Sequence, residues 1–334
     1  MTKRLGYVCL CLCLIVTVQL ARAKSALTGG SVVRLDPALD EIVPAGAQVQ
    51  KIAEGFRFVE GPVWDHSGYL LFSDIPANAI MKWTPDGRVS LFRKPSGYDG
   101  ADTGPGSYLG SNGLTIDKQG RLTICETGNR RVTRLERDGK VTVLADRYEG
   151  KRLNSPNDLA YKSDGSLYFT DPSFGMPKGE QDPGRELPFS GVYRLAGNKL
   201  QLLTSTLHGP NGLAFSPDEK YLYVDNSDVS RKIWMRFKVQ PDGSLEDGKV
   251  FYDATAAKEE GVPDGMKVDR LGNLYSTGPG GIWILSPAGL HLGTIVLPEL
   301  PANCGWGDAD GKTLYMTART GLYRIRLRIE GLRP

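Results

Sequence analysis

The chain has 334 residues, with 41 Lys+Arg against 38 Asp+Glu and a formal net charge of +3 at neutral pH. Residues 1–23 hold three of the bases (Lys3, Arg4 and Arg22) and no acid, so the remainder balances at 38 against 38. That neutrality excludes the basic footprint of a nucleic-acid or anionic-membrane binder, and the histidines and cysteines form no spaced metal-binding set.

Lys3 and Arg4, an apolar run from Leu5 to Leu20 and the A-x-A site Ala21-Arg22-Ala23 read together as a secretory signal peptide over 1–23. The run is shorter than the roughly 20 apolar residues of a spanning helix and is broken by Gln19. The mature chain is therefore expected to be exported, to the periplasm or the medium, with no membrane segment after cleavage. Only Cys125 and Cys304 remain in it, as buried thiols or as one disulfide that an exported location permits. Lys24 to Pro44 is polar and patternless and is expected to be loosely ordered. From residue 45 to 334 Gly and Pro are spread without a linker cluster, which predicts one domain.

Within that domain Glu60-Gly61-Pro62-Val63-Trp64-Asp65 heads a series of related segments. The others begin at Asn112, Asn157, Asn211 and Asp264, and a degenerate sixth is Cys304-Gly305-Trp306-Gly307, at intervals of 52, 45, 54, 53 and 40 residues. Each runs into a turn and a strand-like stretch, such as Ser163-Asp164-Gly165 before Leu167-Tyr168-Phe169-Thr170. Repeats of this length and pattern predict an all-β, six-bladed β-propeller. The sixth copy is short of a strand, and Gln48 to Ile52 is expected to supply its outer edge and close the ring.

Five of the six copies begin with an acid or an amide, and first strands of propeller blades converge on the axis. Glu60, Asn112, Asn157, Asn211 and Asp264 therefore form a candidate ring of oxygen donors, the type of set that holds a hard divalent cation. Asn or Asp before Gly also marks ordinary turns, and that reading stands beside the first, although Asp264 opens a strand with its own turn, Arg270 to Asn273, further on. Two long Gly/Pro-rich insertions, Pro95 to Gly110 and Asp171 to Ser190, mark one face as the working face. Glu126 and Asp171 end second strands, and Arg152, Arg185 and His208 lie close enough in sequence to reach a ligand there.

At Glu60-Gly61-Pro62, Leu153-Asn154-Ser155-Pro156-Asn157-Asp158, Phe169-Thr170-Asp171-Pro172, His208 to Asp218 and Pro263-Asp264-Gly265-Met266, the sequence resembles the SMP-30/gluconolactonase family, in its bacterial branch. The resemblance implies one divalent ion held by Glu60, Asn157, Asn211 and Asp264. Calcium is expected first, with zinc, magnesium or manganese as other candidates. It also implies hydrolysis of a small-molecule sugar lactone such as glucono-1,5-lactone, with Asp264 as general base and acid. Ser155 stands where animal members have a substrate-gripping Arg, so Arg152, Arg185, Asn112, Glu126, Asp171 and His208 are the candidates for substrate contact. No G-x-S-x-G elbow or phosphate-binding loop offers a rival chemistry. The alternative is a calcium-stabilised propeller that binds a carbohydrate or a protein without catalysis.

Overall fold

The structure is a computed structural model that describes residues 29–100 and 108–334; the signal segment and part of the first insertion lie outside the described residues. Six antiparallel sheets follow one another along the chain and form a six-bladed β-propeller. The first four blades are sequential four-stranded meanders: Val59–Asp65 through Val89–Arg93, Ser111–Ile116 through Val141–Ala145, Leu159–Tyr161 through Lys199–Thr204, and Pro210–Phe215 through Leu245–Asp253. Blade five spans Met266–Val268 to His291–Val296, and blade six Pro301–Gly307 to Gly321–Arg326.

The core lies between blades, because a central strand is covered on both faces and sends alternate residues in opposite directions. Phe169 packs with Cys125, Leu153 and Tyr193 toward blade two, whereas the adjacent Tyr168 packs with Leu213, Phe215 and Leu222 of blade four. Both aromatic rings are fully buried, and this is why Leu167-Tyr168-Phe169 reads as a continuous apolar run instead of an alternating one. Cys125 and Cys304 belong to different inter-blade cores and are free, buried thiols, so the disulfide option is closed.

The expected closing strand is present as Gln50–Glu54, paired antiparallel with Gly321–Arg326 as the outer edge of blade six. The residues before it depart from expectation. Ser31–Arg34 adds a fifth strand to blade five, in register with Gly293 to Val296, and the following turn buries Leu39, Ile42 and Val43 against blades five and six. The described part of Lys24 to Pro44 is thus ordered: full burial of Leu39 alone is worth about 1.5 to 3 kcal/mol.

Candidate active site

Each repeat head sits where the first strand departs from regular pairing. Bulges fall between Glu60 and Val63, Ser111 and Leu114, Pro210 and Leu213, and Pro301 and Asn303. In blades three and five pairing begins two residues after the head, at Leu159 and Met266. A bulge re-aims a side chain out of the strand's normal alternation. The glycine after most heads serves a second need, close approach. A Cβ on Gly61 would lie 2.3 Å from the Asn112 carbonyl, one on Gly113 2.6 Å from that of Asn157, and one on Gly212 2.1 Å from that of Asp264. Neighbouring blades are laced through head carbonyls: Ser73 Oγ donates to Asn112 (2.7 Å), Gly113 N–H to Asn157 (2.7 Å) and Thr170 Oγ1 to Asn211 (2.7 Å). These glycines are therefore packing positions, and the turn reading of the column falls away.

The sixth head is Asn303, one residue before the position expected from sequence. Its amide donates to Glu60 Oε2 at 2.9 Å and lies 3.4 Å from Asp158 Oδ2. Asn303 pairs with Thr317 just past a bulge and stands five residues before Asp308, as Glu60 stands before Asp65. All six heads are then acids or amides. Asp158 occupies the place held by glycine in four other copies, and Asp225, on the second strand of blade four, receives the Gly212 N–H at 3.1 Å. Both were missed as site residues, although Asp158 was already visible within the Asn157-Asp158 pair.

Glu60, Asp158, Asp225 and Asp264 therefore crowd one end of the channel. Burial, reinforced by the Asp158 charge, pushes the Glu60 carboxyl up to about 7 against the Asn303 and Gly61 hydrogen bonds. Burial and then the Glu60 charge hold Asp264 well above the usual carboxylate range, while an Asn211 hydrogen bond works the other way. Burial and the Asp264 charge do the same to Asp225. Asn112 Oδ1 and Asp225 Oδ2 are buried without a hydrogen-bond partner. Buried oxygens of this kind, short of donors, suit a hard cation. Among the described residues no three His, Cys, Asp or Glu side chains converge as a metal triad, so a cation here must draw on amide oxygens. Asn211 is prepared for that: Ser227 Oγ accepts from its Nδ2 at 3.0 Å while donating to the Pro263 carbonyl.

The other candidates lie outside this ring. Glu126 is engaged by Asn129 Nδ2 (2.6 Å), Arg131 Nε (2.6 Å) and Thr133 Oγ1 (2.7 Å), a full complement for a buried carboxylate, which corrects its assignment to substrate. Asp171 is likewise spent on structure. Its two oxygens accept the Asn154 and Ser155 amides at 2.8 Å each and so set the backbone that leads into Asn157. Burial lifts its carboxyl to about 7 in spite of those bonds. Arg152 donates to the Asn129 carbonyl at 3.2 Å and Arg185 to the Glu180 carbonyl at 3.3 Å, both at the rim. His208 is exposed beside Asp228. Asn112 and Asp264 keep partial exposure at the mouth.

The site defines a class: a propeller whose first strands present a buried ring of carboxylate and amide oxygens at one end of the channel. The family model for the SMP-30/Gluconolactonase/LRE-like region matches residues 58–320, and the chain belongs to that family. It is 38% identical over 333 residues to a gluconolactonase of Zymomonas mobilis, covering 95% of this chain and 92% of that protein. A solved gluconolactonase from Xanthomonas campestris matches with a TM-score of 0.77 at 33% identity, over 90% of this chain and 96% of that one. A calcium-binding protein, regucalcin, from Agrobacterium tumefaciens shares the fold, with a TM-score of 0.67 at 21% identity over 87% and 95%.

Proposed function

We propose that this chain hydrolyses a sugar lactone of the glucono-1,5-lactone kind to the aldonic acid, using one divalent cation held by Glu60, Asn157, Asn211 and Asp264. The enzyme class, a lactone hydrolase, comes with the family and with the 38% identity to a gluconolactonase. The observation that carries the cation is the ring itself, four crowded carboxylates of which Asp225 keeps one unpartnered oxygen, with the unpartnered Asn112 Oδ1 as a second. Calcium is the ion that best matches such a mixed carboxylate and amide set. Export by the signal segment is part of the same proposal, and a sugar lactone is a solute suited to that compartment.

When bound, a divalent cation supplies Lewis acidity toward a carbonyl oxygen. A cation's charge favours the ionised form of a neighbouring carboxyl, and in that form Asp264, partly exposed, takes the proton of an attacking water as the water oxygen bonds to the carbonyl carbon. When the ring C–O bond breaks, the same carboxyl returns the proton to the departing ring oxygen, which leaves aldonic acid with the proton count balanced. Asn211 and Ser227 keep Asp264 in place through the Pro263 carbonyl and the Asn211 side chain. Asn112, which keeps partial exposure, is the head best placed to meet a substrate hydroxyl.

The test is proton release from glucono-1,5-lactone, corrected for spontaneous hydrolysis, across a calcium titration of the EDTA-treated protein. Turnover that rises with calcium and saturates is expected. Full turnover in excess EDTA would remove the cation, and silence across lactones of several ring sizes would move the reading to a non-catalytic binding platform.

A further inference from the structure

Three residues beyond each head a second tier of side chains lines the channel: Val63, Thr115, Ala160, Ala214, Lys267 and Trp306. Five are apolar or neutral and one is a cation. Beneath the ring they border a chamber of about 240 Å³. Lys267 does not extend into it. Its Nζ turns back toward the acids, donating to the Met266 carbonyl at 2.8 Å and to Asn303 Oδ1 at 3.5 Å, and it lies 3.9 Å from Asp158 Oδ2. Asp158 comes from blade three, Lys267 from blade five and Asn303 from blade six, so these contacts cross the axis.

The Asn303 amide has one end for each charge. Its oxygen accepts from Lys267 and from the Cys304 N–H (2.8 Å), both donors, and its nitrogen therefore faces Glu60 and Asp158. An amide oxygen pinned by an ammonium and a backbone N–H is not free to ligate. Asn303 thus acts as donor in a ring of acceptors.

We infer that Lys267 is the resident counter-cation of the ring: it neutralises Asp158 from below and fixes Asn303 as the donor that orients Glu60. Lys267 is a positioning residue in this role, and the inference rests on the cation reading above. Its physical basis is charge balance. Buried carboxylates without a partner are costly, and among the described residues no other ammonium or guanidinium lies within 4.0 Å of Glu60, Asp158, Asp225 or Asp264. With Lys267 the ring survives the loss of its divalent ion; without it, the empty ring has no positive charge at all.

The experiment compares thermal melting of the natural full-length chain, Lys267→Met and Asp158→Asn/Lys267→Met, each as the EDTA-treated form and with saturating calcium chloride. Methionine keeps the length and apolar stem of the side chain and removes only the charge. In the single variant the calcium-free form should melt lower while the loaded form stays close to the natural chain, so that its gain on loading exceeds the natural one by about 3 to 6 °C. Removing the Asp158 charge as well should return the calcium-free form toward the natural melting temperature. Equal losses with and without calcium would show a packing role and overturn the inference, as would a double variant less stable than the single one. If Lys267→Met alone fails to fold, the double variant decides: folding supports the charge account and failure overturns it. Absence of any calcium shift in the natural chain would overturn the cation reading together with this inference, whereas an equal shift in the natural chain and Lys267→Met would overturn the inference alone.

Discussion

Two glutamates, Glu60 in the ring and Glu299 before the first strand of blade six, show how differently one side chain is used. Burial and a neighbouring carboxylate push Glu60 up to about 7. Burial also acts on Glu299, yet hydrogen bonds from Thr320 and Tyr323 and the Lys51 ammonium outweigh it and bring its carboxyl down to about 2. The contacts are short: Thr320 N–H at 2.8 Å, Thr320 Oγ1 and Tyr323 Oη at 2.6 Å, and Lys51 Nζ at 3.3 Å. Lys51 belongs to the closing strand, so Glu299 stabilises the seam. Where acids receive all the donors they need, they hold the fold together. Where they receive too few, the fold carries a cost that a bound cation offsets.

If that division is right, damage at the ring should appear in activity and damage at the seam in stability. The largest effect is expected from removing the cation: EDTA should bring lactone hydrolysis to the spontaneous rate, with recovery on adding calcium. Asp264→Asn comes next. It keeps one oxygen and nearly the same volume but does not accept a proton from water, so kcat should fall roughly 10² to 10⁴-fold, with melting unchanged or slightly raised. Glu60→Gln sharpens the distinction, because a residue that only ligates should be rescued at high calcium, whereas Asp264→Asn should not be.

At the seam the sign is reversed. Glu299→Gln should leave turnover near natural and, after solvent screening of this partly exposed group, cost on the order of 1 to 2 kcal/mol at neutral pH. The folded-state pKa of Glu299 is depressed, so its contribution is fully present above the ordinary carboxylate range and is lost as pH falls toward 2. The difference in stability between natural chain and variant should therefore be constant from about pH 8 to 6 and shrink through the acid range, followed by urea melts at each pH. A difference that grew in acid would contradict the assignment. Smallest of all, reductant should not change the melting temperature, since Cys125 and Cys304 are free and sit in separate cores.

The ring and the blades were legible because both depend on local periodicity. Head residues recur every 39 to 54 residues and each is followed by a recognisable turn and strand. The sixth head, Asn303, is obscured in the sequence because Cys304 follows it where four other copies have glycine. Ser31–Arg34 escaped notice for a related reason. It is a four-residue edge strand with mostly exposed side chains, held by backbone pairing to blade five, and Val32 alone packs against the core, too little for an alternating pattern to reveal. Asp158 with Lys267, and Glu126 with Arg131, are settled by which charges meet. Only the closed ring determines that for the first pair, whose members are far apart in sequence and come from non-adjacent blades, three and five.

The seam also has a kinetic meaning. Within blades one to four every strand pairs with its neighbour in sequence, so those sheets can form from short loops as soon as their residues are available. Blade six waits for two distant parts of the chain. Gln50 receives a hydrogen bond from Arg324 at 2.9 Å across a separation of 274 residues, and the pairing of Gln50–Glu54 with Gly321–Arg326 encloses nearly the entire domain. Closing so long a loop is an entropic barrier that blades one to four do not face and that blade five meets only in adding Ser31–Arg34 as its fifth strand. The order of events is thereby built into the topology: blades accumulate first, the circle joins last, and the cross-channel contacts of Asn303 and Lys267 that complete the ring form only when it does.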